Sequence, residues 1–538
     1  MGYVRESGTG AGKKLTLNAL QDKAWWQERG YQLPLYDIPR VRAATFSAPR
    51  WLHLGAGNIF RAFLAHAQQR LLNQRDAESG IIVAEGFDPE IIEKAYRPCD
   101  NLSIFVRLKG DRTLDKIVLA SVVESLTMRD DFERLRDIAA APSLQMISLT
   151  ITEKGYAIKD RDGAYYPAVA ADFKDGVQRP QSYIGNIVAL LHARWRAGGA
   201  PLALVSMDNM SHNGEKLRAV IMEFARAWQA AGHVAPEFVA WLESDRVAFP
   251  WTMIDKITPR PDPGVAERLQ ADGLNGIDAV VTGKNTYVAP YVNAEELEYL
   301  VIEDDFPNGR LPLERAGVLF ADRDTVNKVE TMKVTTCLNP IHTALAIYGC
   351  LLGYTSIHAE MQDAELLALS RAVGYREGLP VVVNPGILDP QTFIDEVVNV
   401  RLPNPYIPDT PQRIATDTSQ KLAIRFGQTI KAHGANAGAL TAIPLVLAGW
   451  CRYLLGVDDN GNAFTCSPDP LLASAQEKLA GVRLGSAHLG NVRELLADTA
   501  IFGVDLYAVG LGDKIEGYLR EMLAGNGAVR ATLKKHLA

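Results

Sequence analysis

One stretch constrains the fold of this 538-residue chain more than any other: Arg50-Trp-Leu-His-Leu54, then Gly55-Ala-Gly-Asn-Ile-Phe-Arg61, then Ala62-Phe-Leu-Ala-His-Ala-Gln-Gln-Arg-Leu-Leu72. The first piece reads as a strand, the second as a glycine-rich turn, and the third as a helix with apolar residues at helical spacing. A strand, a Gly-x-Gly turn and a helix open a dinucleotide fingerprint, because glycines let the backbone approach a pyrophosphate that rests on the helix N-terminus. Gly55, Gly57, Asn58, Ile59, Phe60 and Arg61 are therefore candidate cofactor contacts, with Phe60 standing where a third glycine is usual and Arg61 offering a charge to the phosphates. The next strand, Gly80 to Phe87, leads into Asp88. An acid there binds a ribose hydroxyl pair and repels a 2′-phosphate, which favours NAD over NADP. Asp88 is the first choice and Glu85 the second, the plain alternative for either being a solvated loop acid.

Further strand patterns occur at Leu102–Leu108, Ile117–Val123, Gln145–Thr152 and Leu202–Met207, separated by helical patterns. That alternation predicts an α/β fold, a Rossmann-like, doubly wound, mostly parallel sheet. Residues 1 to about 45 read as a polar lead-in with one short helix. Beyond about residue 315 helical periods dominate, at Asn339–Gly353, Asp363–Glu377, Pro390–Arg401, Thr418–His433 and Ala439–Leu455. The expected domains are thus 1–315, nucleotide-binding, and 316–538, mainly α-helical.

Composition excludes several functional classes. With 56 basic and 63 acidic residues interspersed, nothing points to nucleic acid or a membrane surface. No apolar run approaches the ~20 residues of a membrane span, and Met1–Gly10 carries no hydrophobic signal region. Five cysteines without metal spacing read as reduced thiols in a cytoplasmic protein, with no metal site expected.

Three polar groups gather at the mouth of an apolar helix: Lys333, Asn339 and His342. Asn339 and His342 share a helical face. Pro340 suits the first helical position, which makes Asn339 the expected N-cap. Such groups are costly in an apolar setting unless they meet each other, a ligand or water. Past the strand at 202–207, Asn209 and Asn213 are candidates to hydrogen-bond a substrate oxygen, turn formation being the alternative. Past the strand at 145–152, Glu153 is expected as a buried carboxylate, and Asp255 with Lys256 as a further polar pair or salt bridge.

Together these motifs resemble the polyol-specific long-chain dehydrogenases, which include mannitol 2-dehydrogenase and the hexuronate reductases. The resemblance rests on Gly55-Ala-Gly-Asn-Ile-Phe-Arg61, Thr152-Glu-Lys-Gly-Tyr156, Asp208-Asn-Met-Ser-His-Asn-Gly214, Met253-Ile-Asp-Lys-Ile-Thr-Pro259, Lys333 with Asn339-Pro-Ile-His342, and Arg401-Leu-Pro-Asn-Pro405. Ile82–Asp88 and Tyr96–Leu102 look most like the fructuronate reductase branch. The resemblance implies interconversion of D-fructuronate and D-mannonate with NAD, without a metal, by a protein expected to be monomeric. Lys333 would be the general acid/base, Asn209 and Asn339 would steady the alkoxide, His342 would hold a neighbouring hydroxyl, and Glu153 would help move protons. In the family pattern the lysine precedes the asparagine by five residues; here the interval is six, which leaves Lys328 as an alternative. A uronate carboxylate calls for a cation, and Arg401 and Lys421 are the candidates, with ion pairs to Asp409 or Asp417 as the structural alternative. Mannitol 2-dehydrogenase, tagaturonate reductase and a non-catalytic nucleotide-sensing protein remain the other readings.

Overall fold

The computed structural model describes residues 12–537; Met1–Gly10, read above for a signal region, lies outside the described residues. The chain forms two compact units, residues 1–109 with 113–326, and residues 110–112 with 327–538. The division falls beyond residue 315 because Leu319–Ala321 still pairs with Tyr299–Glu303 in the first unit.

The first unit is built on six parallel strands: β1 (Trp51–Leu54), β2 (Ile81–Glu85), β3 (Val122–Thr127), β4 (Met146–Leu149), β5 (Leu202–Ser206) and β6 (Val247–Ala248). Their spatial order is β3-β2-β1-β4-β5-β6, all parallel. This is the doubly wound order, and it reverses direction between β1 and β4, where such sheets bind ligands. Strand alternation divides the core. Leu52, Leu54, Ile82 and Leu204 enter one apolar cluster with Leu135, Ile187 and Trp228. Trp51, Ile81, Val83 and Val205 enter the other with Phe60, Leu71 and Phe105. After β1 a π-helical turn, Phe60–Ala65, runs into α1 (His66–Gln74); α2 (Phe132–Ala140), α3 (Tyr183–Arg196) and α4 (Asn213–Ala230) follow.

Two strand expectations change. Ser103–Leu108 is not in the parallel sheet but pairs antiparallel with Leu114–Leu119, in a separate four-stranded sheet with Tyr31–Gln32 and Tyr291–Glu295. The apolar run at 117–123 is split at Ala120-Ser121, where the chain passes from that sheet into β3. Among its described residues the lead-in holds two α-helices, Lys23–Glu28 and Ile38–Ser47, where one was expected, the second capped by Asp37 accepting from the Arg40 N–H.

The second unit is helical. The division falls within α5 (Arg323–Met332), which continues through a π turn, Lys333–Cys337, into α6 (Asn339–Leu352). α7 (Ala442–Tyr453) is buried along its whole length, as its all-round apolar surface requires. The Tyr348 hydroxyl of α6 donates to the Leu445 carbonyl of α7 at 2.7 Å, and a Cβ at Gly449 would come within 2.8 Å of that ring, so glycine sets the closeness of the pair. Among the described residues no single helix is long and apolar enough to cross a membrane.

Candidate active site

In the first unit β1 ends at Gly55, whose φ of +106° suits glycine and whose added Cβ would lie 2.2 Å from the Thr150 carbonyl oxygen beyond β4. A Cβ at Gly57 would meet no atom within 4 Å, because that face of the turn opens into a cavity of about 550 Å³. Gly55, Gly57, Glu85, Phe87, Thr150 and Tyr183 are among its walls. The buried Tyr183 hydroxyl has no protein partner. An open glycine turn before a helix, an acid at the end of β2 and an unanswered buried hydroxyl together fit a dinucleotide.

Glu85 organises this turn. Its carboxylate accepts from the Ala56, Phe87 and Asp88 N–H groups at 2.8, 2.8 and 3.1 Å. Burial pushes the Glu85 carboxyl up from its usual range, against the pull of those amides. Asp88, the first choice for the ribose, accepts from the Thr282 hydroxyl at 2.6 Å through Oδ2, its buried Oδ1 having no protein partner, and it is not among the cavity walls, whereas Glu85 is. Arg61 is also corrected: it is 1% exposed, donating to the Ala289 carbonyl and to Asn58 Oδ1. Its charge serves the interior, not a phosphate. Phe60, also fully buried, stacks on His53 at 4.2 Å, and the π turn beginning there accommodates a bulky ring where close helix–strand packing normally asks for glycine.

A second cavity in this unit, of about 300 Å³, is walled by Ile59, Thr152, Glu153, Asn209, Ile254 and Lys256 among others. Asp208 shapes it. Its carboxylate accepts from the Ile151 and Thr152 N–H groups at 2.9 and 2.8 Å and from the Tyr156 hydroxyl at 2.7 Å, tying the β4 and β5 ends together. Thr152 is held at φ +61°, the strained region for a β-branched residue. Asn209, next to this anchor, is exposed. Glu153 was expected buried, but its side chain is 78% exposed with Lys216 at 3.8 Å, because it lies in the short helix Thr152–Gly155, none of whose residues is buried. Asn213 is corrected too: its buried amide donates to the Asp208 and Thr252 carbonyls and the Thr252 hydroxyl, and accepts from the Thr252 N–H, so no group remains for a substrate. Lys256 is buried, donating to Glu298 at 3.0 Å.

In the second unit Lys333 is buried and opens the π turn. The Leu338 N–H donates to the Lys333 carbonyl at 3.1 Å, a five-residue step that takes up one residue more than an α-turn. This absorbs the six-residue interval to Asn339. Lys328 sits on α5, half-buried. Because the helix runs in from the π turn, Asn339 is its first residue and provides no side-chain cap, contrary to the sequence expectation. His342 Nε2 lies 3.3 Å from Asp409 Oδ2, and Asp409 also pairs with Arg413. Burial raises the Asp409 carboxyl, but His342 and Arg413 outweigh it and hold it below its usual range. Arg401 is buried at the end of another π turn, Val397–Arg401. The Lys421 ammonium donates to the Thr416 and Ile414 carbonyls, closing its own loop. The sequence reading does not include Arg425, four residues beyond Lys421 and inside the π turn Ala423–Gly427. Its guanidinium reaches the Thr343 hydroxyl, beside His342, at 2.5 Å.

Residues 49–315 match the mannitol dehydrogenase Rossmann domain, and residues 325–522 the mannitol dehydrogenase C-terminal domain. The chain belongs to the mannitol dehydrogenase family. Within that family it is 49% identical to the D-mannonate oxidoreductase of Thermotoga maritima, over 97% of this chain and 98% of the relative. It is 30% identical to the D-mannonate oxidoreductase of Escherichia coli, over 88% and 91%. Among solved structures it resembles Pseudomonas fluorescens mannitol 2-dehydrogenase in ternary complex with NAD and D-mannitol, at TM-score 0.68 and 28% identity over 97% of this chain and 99% of that one. A D-sorbitol dehydrogenase gives TM-score 0.79 at 27% identity, over 93% and 97%. The mannitol dehydrogenase family thus accounts for both the parallel sheet and the helical unit.

Proposed function

We propose that this chain interconverts D-fructuronate and D-mannonate, with NAD as cofactor and Lys333 as the proton-transferring group. It is an NAD-dependent oxidoreductase of the mannitol dehydrogenase family, and the 49% identity with a D-mannonate oxidoreductase along nearly the whole chain carries the substrate reading. NAD, when bound, supplies or accepts the hydride. The Gly55–Gly57 turn lets the backbone approach the pyrophosphate, and Glu85 meets the ribose while holding the turn. Lys333, withdrawn from water, delivers a proton to the alkoxide oxygen as the ketone is reduced and takes it back when the alcohol is oxidised. Asn339, in the same unit as Lys333, is the amide donor to that oxygen, as in an oxyanion hole. His342, steadied by Asp409, holds a neighbouring hydroxyl. Arg401 and Arg425 are the cations for the carboxylate. Five free, buried thiols support a reducing compartment, the cytoplasm, where the protein acts as a monomer.

A neutral polyol is the second reading, favoured by the commitment of the Lys421 ammonium to backbone carbonyls. NADH oxidation with D-fructuronate, D-tagaturonate and D-fructose in parallel separates the two. Turnover of D-fructuronate is expected, lost by about 10²–10⁴-fold in Lys333→Ala with NADH binding intact. Preference for D-fructose, unchanged by Arg425→Met, would move the chain to the polyol reading. NADH binding without turnover of any substrate would leave a nucleotide-binding protein.

A further inference from the structure

A third cavity, of about 500 Å³, lies in the first unit away from the glycine turn. His66, Gln69, Arg70, Asn73, Arg107 and Tyr31 are among its walls, and none of its described lining residues is acidic. Each of the two carboxylates that pair with its arginines also holds a lysine. Glu298 pairs with both Arg70, at 2.6 Å, and Lys256, at 3.0 Å. Asp115 pairs with both Arg107, at 2.9 Å, and Lys109, at 2.8 Å. The Tyr31 hydroxyl is turned to Asp272, which Lys116 matches at 2.6 Å, so that acid does not redress the balance.

Two residues that line the cavity each carry a buried nitrogen with no protein partner, Arg70 Nε and His66 Nδ1. His66 is 5% exposed, its ring held against Phe105 at a centroid distance of 5.0 Å. Leaving buried polar atoms unanswered costs about 1–3 kcal/mol each, so such atoms on a cavity wall mark a place for a ligand or water. Burial, joined by Arg70, Arg107 and Lys256 and opposed by Glu298, holds the His66 imidazole neutral, down at about 3.

We infer that this cavity binds a small oxyanion, a phosphate or a carboxylate, between Arg70, Arg107 and His66. Two guanidiniums whose partnering acids each hold a second cation present forked N–H donors matched to such a group, and Asn73 lies beside them. The site is separate from the glycine turn and does not rest on the proposed reaction.

Calorimetric titration of the full chain, saturated with NAD, with inorganic phosphate and separately with malonate tests this. One ion per chain is expected to bind saturably, at least tenfold more weakly in Arg107→Gln and in His66→Phe, with the affinity for NAD unchanged. His66→Phe keeps the ring against Phe105 and reads the site even if Arg107→Gln misfolds. Phosphate alone binding identifies a phosphoryl site, malonate alone a carboxylate site, and both a general oxyanion site. Absence of saturable heat with either ion, or binding unaltered in the folded variants, would overturn the assignment.

Discussion

Replacing Glu85 by glutamine tests how the cofactor turn is built. The carboxylate answers three backbone N–H groups, one from the glycine turn and two from the turn after β2. A glutamine oxygen can keep the two on Oε1, but its amide then points at the Ala56 N–H, donor against donor. One charge-assisted bond is lost, worth about 1.5–3 kcal/mol, and one buried donor goes unanswered at about 1–3 kcal/mol. Water entering from the adjoining cavity offsets part of this, so a stability loss of about 2–4 kcal/mol is expected, together with weaker NAD binding. Seven of the eight tryptophans lie in the first unit, so denaturant unfolding followed by tryptophan fluorescence reports on it. NAD affinity is measured by titration on the same samples. A variant as stable as the native chain to within about 0.5 kcal/mol, yet with weakened NAD affinity, would refute the organising role and leave Glu85 as a ligand contact only.

Three further outcomes follow from buried polar groups. Burial would raise the Glu298 carboxyl, but Lys256 and Arg70 overcome it and hold it at about 2. Its contribution is therefore complete above the unfolded value of about 4.3 and lost as pH falls towards 2; Glu298→Gln should be less stable by about 3 kcal/mol at pH 7 and flatter across the acid range in denaturant melts. Glu360 is the opposite case: fully buried, with neither carboxyl oxygen partnered, it is pushed up to about 9 by burial. Its stabilising effect is complete below about pH 4.3 and lost as pH rises through 9, so Glu360→Gln should gain about 2–4 kcal/mol at pH 8, and the gain should shrink towards pH 5. Asn213→Ala removes four hydrogen bonds and should cost about 2–4 kcal/mol in a thermal or denaturant melt while leaving the substrate KM unchanged.

The parallel sheet was legible because β1, β2, β4 and β5 are short apolar runs ended by turn residues. An apolar run does not name its partner, however, which is why Leu102–Leu108 and Ile117–Val123 were placed in the wrong sheet or left undivided. Residue type proved a poor guide to direction. Arg61 and Asn213 have the right chemistry for a ligand and the right positions after strands, yet their donors go to Ala289, Asn58, Thr252 and Asp208. Glu153 failed the other way, since burial of the strand before it says nothing about a helical turn none of whose residues is buried. Arg425 is not distinguishable from Lys421 by residue type: the ammonium of one turns back to the Ile414 and Thr416 carbonyls while the guanidinium of the other reaches Thr343. π turns have no periodic signature in sequence, so the displacement of Asn339 from the cap position could not be read.

Those π turns bear on how the family's members should be compared. Lys333, Arg401 and Arg425 each lie in one. A wide turn is what a helix keeps when a single residue has been added and the far end must not rotate. Insertion or deletion of one residue at such a point therefore leaves the flanking faces in phase. An alignment scored on letters can place that gap anywhere between Lys333 and Asn339, pairing the lysine with a neighbour. Matching by helical face removes the ambiguity.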